Sequence, residues 1–564
     1  MAKRRKSRDA TEPLTRRDAL ALGAGTLGAL LTKSTALAGA QTRSPQSPAE
    51  LVPPTGAIQR TRRARSYEVR LRAAQAQRRR QVAGDSTNGD ERRYSNLIAS
   101  YSKGLPHAQT GEVEPSAFQG LVRAARSGRV EDFEIVPTPG DIRQVNPQAA
   151  FAFTLEGPDA HALSVASPPR FDSAELAAEA CELYWQAATR DVTFDAYESD
   201  PTVGRACTEL SAFAGYRGPR VAGAVTPGCV FRGATAGDLA GPYISQFLWK
   251  EVPYGAIRLV PHVRTATPGL DYLTVWDDWL AVQNGAGTTS RHAGTFRYIR
   301  SARDLAAYVQ LDFTYQAFLT ACLVLFGMEG TTDVRRPYKG APFEPSIPYR
   351  TSKSQSGFST LGVAHALDLV ARVSNLALQH AWYHKWVVHR WIRPEEFGGR
   401  IHRLRTGQAN YPIHPSVLGS PALDLVFQRT KSYLLPQAYP EGCPLHPSFP
   451  SGHATIAGAC TTVLKAFFDE SFPIEEPVVA RPDGLTLTPY SGPTLTVGGE
   501  LDKLASNVAM GRSAAGIHWR SDNVAGLALG EQVALELLGE LRACWPEPFQ
   551  GFSVTRFDGT RVVV

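Results

Sequence analysis

Beyond its first forty residues, this 564-residue chain has no unbroken run of 18 apolar residues, whereas a membrane-spanning helix needs about 20. No membrane anchor is expected, and the mature protein reads as soluble. Cysteine is scarce: Cys181, Cys207, Cys229, Cys322, Cys443, Cys460 and Cys544 are widely spaced, with no CxxC pair. That excludes the layout of a zinc ribbon or finger. The odd count leaves at least one thiol unpaired within a monomer, and no pairing is assignable. No repeat of fixed period is visible. An excess of positive charge over the body is also missing. The net charge is +7, but residues 1–40 hold eight Lys or Arg against three acids, so only +2 remains for the rest. The basic character belongs to the leader, and no nucleic-acid partner is expected.

What is present begins with that leader. "LTRRDALALGAGTLGALLTKSTALAGA" sets Arg16 and Arg17 before an apolar stretch, then ends in small residues at Ala36–Ala38 or Ala38–Ala40. This is the layout of a twin-arginine-type export signal over residues 1–40, so a periplasmic or extracellular protein is expected. Such export carries folded proteins and is compatible with a pre-assembled cofactor site. Residues 41–95 read as a basic arm. A Pro/Ser/Thr-rich segment is followed by "IQRTRRARSYEVRLRAAQAQRRRQ", read as a solvated helix, with polyanion binding as the second reading.

The body reads as mainly α, with helical bundles and minor β-hairpins. An N-terminal helical region is expected over 96–340 and a C-terminal bundle over 341–564. "SAELAAEACELYWQAATR" is one predicted helix, and "LAAYVQLDFTYQAFLTACLVLFG", apolar almost all round, predicts one buried helix. A long helix is predicted from Ser359 to about Arg390, with Leu361, Ala364, Leu367, Val370, Val373, Leu376, Ala377 and His380 on its stripe and Pro394 ending or kinking it. Further helices are predicted over 452–469 and about 522–541. "LTLTPYSGPTLTV" predicts a hairpin turning at its own Pro/Gly centre.

Three segments collect unusual polar residues. "WYHKWVVHRWIRP" supplies Lys385 and Arg393. "HPSFPSGHATIAGAC" supplies His446, Ser451, Gly452 and His453. "GRSAAGIHWRSDN" supplies Arg512, His518 and Asp522. Each alone has an ordinary explanation as a helix-end cation, a cap or a core histidine. Together they form a site for a tetrahedral oxyanion. The Ser451 and Gly452 N–H groups and the helix dipole favour an anion, and guanidinium groups grip oxygen pairs. One histidine can ligate or attack the central atom while the other exchanges a proton.

This set resembles the superfamily of vanadium-dependent haloperoxidases and type 2 acid phosphatases. With "IASYSKGLPH", "FRGATAGDLAGPYISQF", "HRWIRPEEFGG" and "LTVGGELDKLASNVAMGRSAAGIHWRSD", it is similar to the red-algal bromoperoxidase type from about residue 97 onward. The resemblance implies the helical fold of that family and a vanadate cofactor bonded by His518. Lys385, Arg393, Ser451, Gly452 and Arg512 would hold its oxygens. His453 would act as acid–base, and Lys385 would polarise the peroxide. The implied partners are hydrogen peroxide, a halide (bromide or iodide, with chloride activity in question) and an organic acceptor to be halogenated. His446 matches the bromoperoxidase histidine and bears on halide choice. Trp382 stands where the red-algal type has arginine. Asp522 is expected either to orient His518 or to cap a helix. The calcium site of red-algal relatives is not carried over, because "PSIPYRTSKSQSGFST" has no Asp or Glu. Relatives form rings of twelve, so a homo-oligomer is expected. The alternatives are a phosphatase working through a phosphohistidine at His518 and a noncatalytic anion-binding protein using the basic arm.

Overall fold

The computed structural model describes residues 55–82, 84–289, 291–327 and 340–564; the expected export signal lies outside them. The described chain separates into one unit up to Arg72 and a second over Ala73–Val564. Helix α1, Thr55–Arg79, begins in the first and ends in the second. It spreads arginine around its whole circumference and so has no apolar face.

The second unit holds the remaining elements. Helix α2, Ala174–Thr189, starts at Ser173, whose side chain accepts from the Leu176 N–H. The apolar run expected to be one buried helix is two. Helix α3, Ala302–Leu311, and helix α4, Gln316–Phe326, meet at 100°. Asp312, Phe313, Thr314 and Tyr315, all weak helix formers, make the break. No single helix among the described residues is long and apolar enough to cross a membrane.

Helix α5 covers Val363–Tyr383 and passes into a π-helical turn, His384–His389, which ends at Arg390 in the left-handed region (φ 41°). Its buried stripe is Val363, Ala366, Val370, Val373, Ala377 and Ala381. Leu361 precedes the helix with φ 48° and Ala364 faces solvent, so the first turn of the expected stripe is out of phase. Pro394 opens helix α6, Pro394–Arg405, instead of ending α5. At that position its missing N–H costs nothing, since the helix has no carbonyl to pair with it.

Helices α7 (Gly452–Phe467), α8 (Val497–Ala514) and α9 (Arg520–Arg542) complete the bundle, with α7 packed against α5, α8 and α9. The small residues of α7 have a steric reason. A Cβ on Gly458 would collide with the Leu527 carbonyl of α9, and one on Gly530 with the Thr455 carbonyl of α7. These two helices touch backbone to backbone. A single large buried cluster, drawn from α2, α4, α5, α7, α8 and α9, forms the main core.

Among the described residues four two-stranded antiparallel pairs decorate the bundle: β1 (Val252–Tyr254) with β2 (Ile257–Leu259), β3 (Val263–Ala266) with β4 (His292–Arg297), β5 (Val478–Ala480) with β6 (Leu487–Pro489), and β7 (Ser553–Thr555) with β8 (Arg561–Val563). The expected hairpin within "LTLTPYSGPTLTV" does not form. Its first half, β6, pairs upstream with β5 around the Asp483–Gly484 turn, where Gly484 takes φ 71°. Its second half supplies Thr496, whose hydroxyl caps α8 at the Gly499 N–H.

Candidate active site

Lys385 sits in the π-helical turn after α5, an irregularity common where a helix must aim a side chain into a site. It is fully buried, and its Nζ donates to the Pro447 and Ser448 carbonyls at 2.8 and 2.7 Å. Arg393 directly precedes α6, and its backbone N–H donates to Glu396 at 2.9 Å. Its guanidinium donates to the His446 and Ile517 carbonyls, to His446 Nδ1 at 2.9 Å and to His518 Nε2 at 2.9 Å. Arg512 lies in the last turn of α8 and donates from Nη1 to the Val309 carbonyl of α3. Burial rules out the surface-cation reading for all three.

The "IASYSKGLPH" stretch holds this scaffold in place. The Ser102 N–H and hydroxyl donate to Glu396 at 2.8 and 2.9 Å, and Lys103 forms a fully buried ion pair with Glu395 at 2.8 Å. The "FRGATAGDLAGPYISQF" stretch does the same for α8. Ser506 donates to Asp238 at 2.6 Å, and the Ser245 N–H to Asn507 at 2.8 Å.

Ser451 caps α7, its hydroxyl accepting from the Ala454 N–H at 3.4 Å. Its own N–H, expected to face the anion, donates to the Asp522 carbonyl at 2.9 Å instead. The Gly452 and His453 amides of the first turn, which have no carbonyl four residues back within the helix, are the backbone donors left there for an anion. A Cβ on Gly452 would stand 3.3 Å from the Trp382 ring, so a larger residue would crowd the cradle against that wall.

His518 precedes α9 and is buried. Because an arginine N–H only donates, its contact with Nε2 makes that nitrogen an acceptor. The proton then lies on Nδ1, which donates to Asp522 Oδ2 at 2.7 Å. The same oxygen accepts from the Trp519 N–H at 3.0 Å and from the Ser448 hydroxyl. Asp522 thus does both things expected of it as alternatives. It orients His518 and it caps α9, keeping Nε2 the unprotonated nitrogen, whose one lone pair Arg393 now holds and a bound electrophilic centre would take over.

Sequence reading missed Asp312, in the break between α3 and α4. Its Oδ1 lies 3.0 Å from His453 Nε2. The signal was an acid interrupting an otherwise apolar helical run. Trp382 and His446 form the opposite wall, their rings 4.8 Å apart and tilted by 39°, with Trp382 donating to the Val145 carbonyl at 3.1 Å.

Electrostatics favour an anion here. Burial, then the Arg393 charge, hold the Lys385 pKa well below the usual lysine value. Burial and then Arg393 also push His446 and His518 well below the ordinary imidazole value. His453 is lowered first by burial and then by Arg512, while Asp312 opposes the shift. Three buried cations repel one another unless an anion lies among them. A buried Arg512 Nε with no hydrogen-bond partner also awaits an acceptor. Vanadate would suit this donor set: the residues that would hold it are His518, Lys385, Arg393, Arg512, Ser451 and Gly452. Asp522→Asn is expected to weaken vanadate binding about 10- to 100-fold by releasing the His518 tautomer, measured by titrating the chelated protein with vanadate.

Comparisons agree with this chemistry. The family profile of the VCPO second helical-bundle domain matches residues 426–546. The vanadium-dependent bromoperoxidase of Corallina pilulifera is 34% identical over 88% of this chain and 98% of its own length. That of Ascophyllum nodosum is 35% identical over 79% and 82%. The second vanadate-dependent bromoperoxidase of Ascophyllum nodosum, solved as a homohexamer, superposes with a TM-score of 0.84 at 29% identity, over 93% of this chain and 95% of that one. With about a third of residues identical over most of both chains, the oxyanion cradle has a family: this chain belongs to the vanadium-dependent haloperoxidases, among the bromoperoxidases.

Proposed function

We propose that the chain uses hydrogen peroxide to oxidise bromide or iodide, and chloride less efficiently, to hypohalous acid that halogenates organic acceptors. The observation that carries this is the acceptor nitrogen of His518 set among Lys385, Arg393 and Arg512, with its tautomer fixed by Asp522. When bound, vanadate supplies a Lewis-acid centre that makes peroxide electrophilic without changing oxidation state.

The chain's own groups supply the rest. Lys385 spends two N–H groups on carbonyls and keeps the third for a peroxide oxygen, drawing electron density from it. The arginines fix the anion's orientation. His453, whose pKa is lowered by burial and then by Arg512, accepts and returns the proton that peroxide gives up. Asp312 holds that ring in place. The His453 side chain is 29% exposed and that of Asp312 only 5%, so it is the histidine that lies open to arriving reagents. Trp382 and His446 form the wall for the halide.

Steady-state turnover of the vanadate-loaded protein with chloride, bromide and iodide tests this. The expected order is iodide and bromide above chloride. No bromide-dependent peroxide consumption would sink the reading.

We propose further that the chain acts as a homo-oligomer, a reading supported by the homohexameric Ascophyllum nodosum structure. Export through the Arg16–Arg17 leader is also proposed, and rests on the sequence layout.

A further inference from the structure

Asp312, the partner of His453, also lines a cavity of about 250 Å³. The rest of its wall is largely apolar and includes Phe247, Val263, Ile299 and Ala307. The rim is apolar too: Leu259, Val260 and Leu311 are 43%, 50% and 51% exposed. Arg264, Gln316 and Thr320 add polar groups to the lining, and one further polar group there has a ring nitrogen without a partner. His262 has a buried Nε2 with no hydrogen-bond partner, and its ring stands edge-on to Tyr298 at 4.4 Å. An orphaned buried ring nitrogen in an apolar wall calls for a single polar group from outside the chain. The volume is below the roughly 300–1,000 Å³ that holds drug-sized ligands, so the occupant is small.

We infer that this cavity binds the organic acceptor, a mono- or bicyclic phenol. The ring lies on the apolar wall, the hydroxyl pairs with His262, and the molecule is held one hydrogen-bonded pair away from the acid–base histidine. The inference rests on the function proposed above and names the acceptor class for it. The chemistry closes with the reagents at hand. A ring carbon of the phenol forms a C–Br bond as the O–Br bond of hypobromous acid breaks, and the displaced ring proton leaves with hydroxide as water. No further oxidant is needed. Holding the acceptor at the mouth of the reaction centre lets it meet hypobromous acid before that diffuses away, and in one orientation.

The test uses the full-length, vanadate-loaded protein and 1-naphthol. A fluorescence titration reads binding. The ratio of 2-bromo to 4-bromo product, set against that from reagent hypobromous acid, reads orientation. Wild type is expected to bind saturably and to shift the ratio at least fivefold. Val260→Asp at the rim and His262→Phe in the wall, which keeps bulk but removes the nitrogen, are each expected to return the ratio to within twofold of the reagent value. Bromide-dependent peroxide consumption stays unchanged within twofold in both. A wild-type ratio equal to the reagent's, or one that neither substitution moves, overturns the proposal. Absence of bromide-dependent peroxide consumption in wild type counts against the functional reading instead. The titration then still decides the cavity: saturable binding lost in Val260→Asp supports it, and no binding overturns it.

Discussion

His518→Ala is expected to reduce bromide-dependent peroxide consumption to background and to weaken vanadate binding by more than the roughly 10- to 100-fold typical of losing a group that only supports a ligand. The structure gives two reasons. His518 Nε2 is the acceptor nitrogen that Arg393 holds at the cradle, and its proton is fixed on Nδ1 by the buried Asp522 carboxylate. Asp522 keeps its bonds to the Trp519 N–H and the Ser448 hydroxyl, so α9 keeps its cap and the fold should survive. Far-ultraviolet circular dichroism and a vanadate titration, run beside the activity assay, separate loss of the ligand from loss of the fold. A variant that binds vanadate like wild type would contradict the assignment.

His453→Ala is expected to lower kcat for bromide oxidation by about 10²- to 10⁴-fold, the usual contribution of a positioned acid–base group. Vanadate affinity should change much less, because His518, the cations and the Gly452 amide remain. Asp312→Asn refines the same point through pH. Asp312 raises the His453 pKa against burial and Arg512. Removing its charge lowers that pKa, so the proton-accepting form persists further into acid. The acid limb of the kcat/KM profile should therefore move to lower pH. A limb that stays in place or moves upward would remove His453 from the proton-transfer role.

Most of the cradle was legible because its residues lie in three short segments with few ordinary uses for so many cations and histidines. Lys385, Arg393, Arg512 and His518 needed only to be buried together, and they are. The positions that went wrong depend on tertiary competition for backbone groups. The Ser451 N–H is taken by the Asp522 carbonyl, from a segment about seventy residues away in sequence, and no local pattern reveals that partner. β6 pairs with β5 across the Asp483–Gly484 turn upstream, while Thr496, on the far side of the Pro/Gly centre, caps α8. Asp312 was hidden by an apolar run that looked continuous. Only the 100° bend between α3 and α4 shows that its position is a corner facing His453. The π-helical turn that aims Lys385 was equally invisible, since its sequence continues the helical composition of α5.

The most direct measurement is reconstitution. The protein is stripped by chelation, dialysed, and assayed for bromide-dependent peroxide consumption after addition of vanadate or of phosphate. Buried cations around the His518 acceptor nitrogen predict that vanadate restores turnover saturably, near one equivalent per chain, and that phosphate does not restore it and competes with vanadate. Restoration by phosphate, or full turnover in the stripped protein, would contradict a vanadate-dependent haloperoxidase.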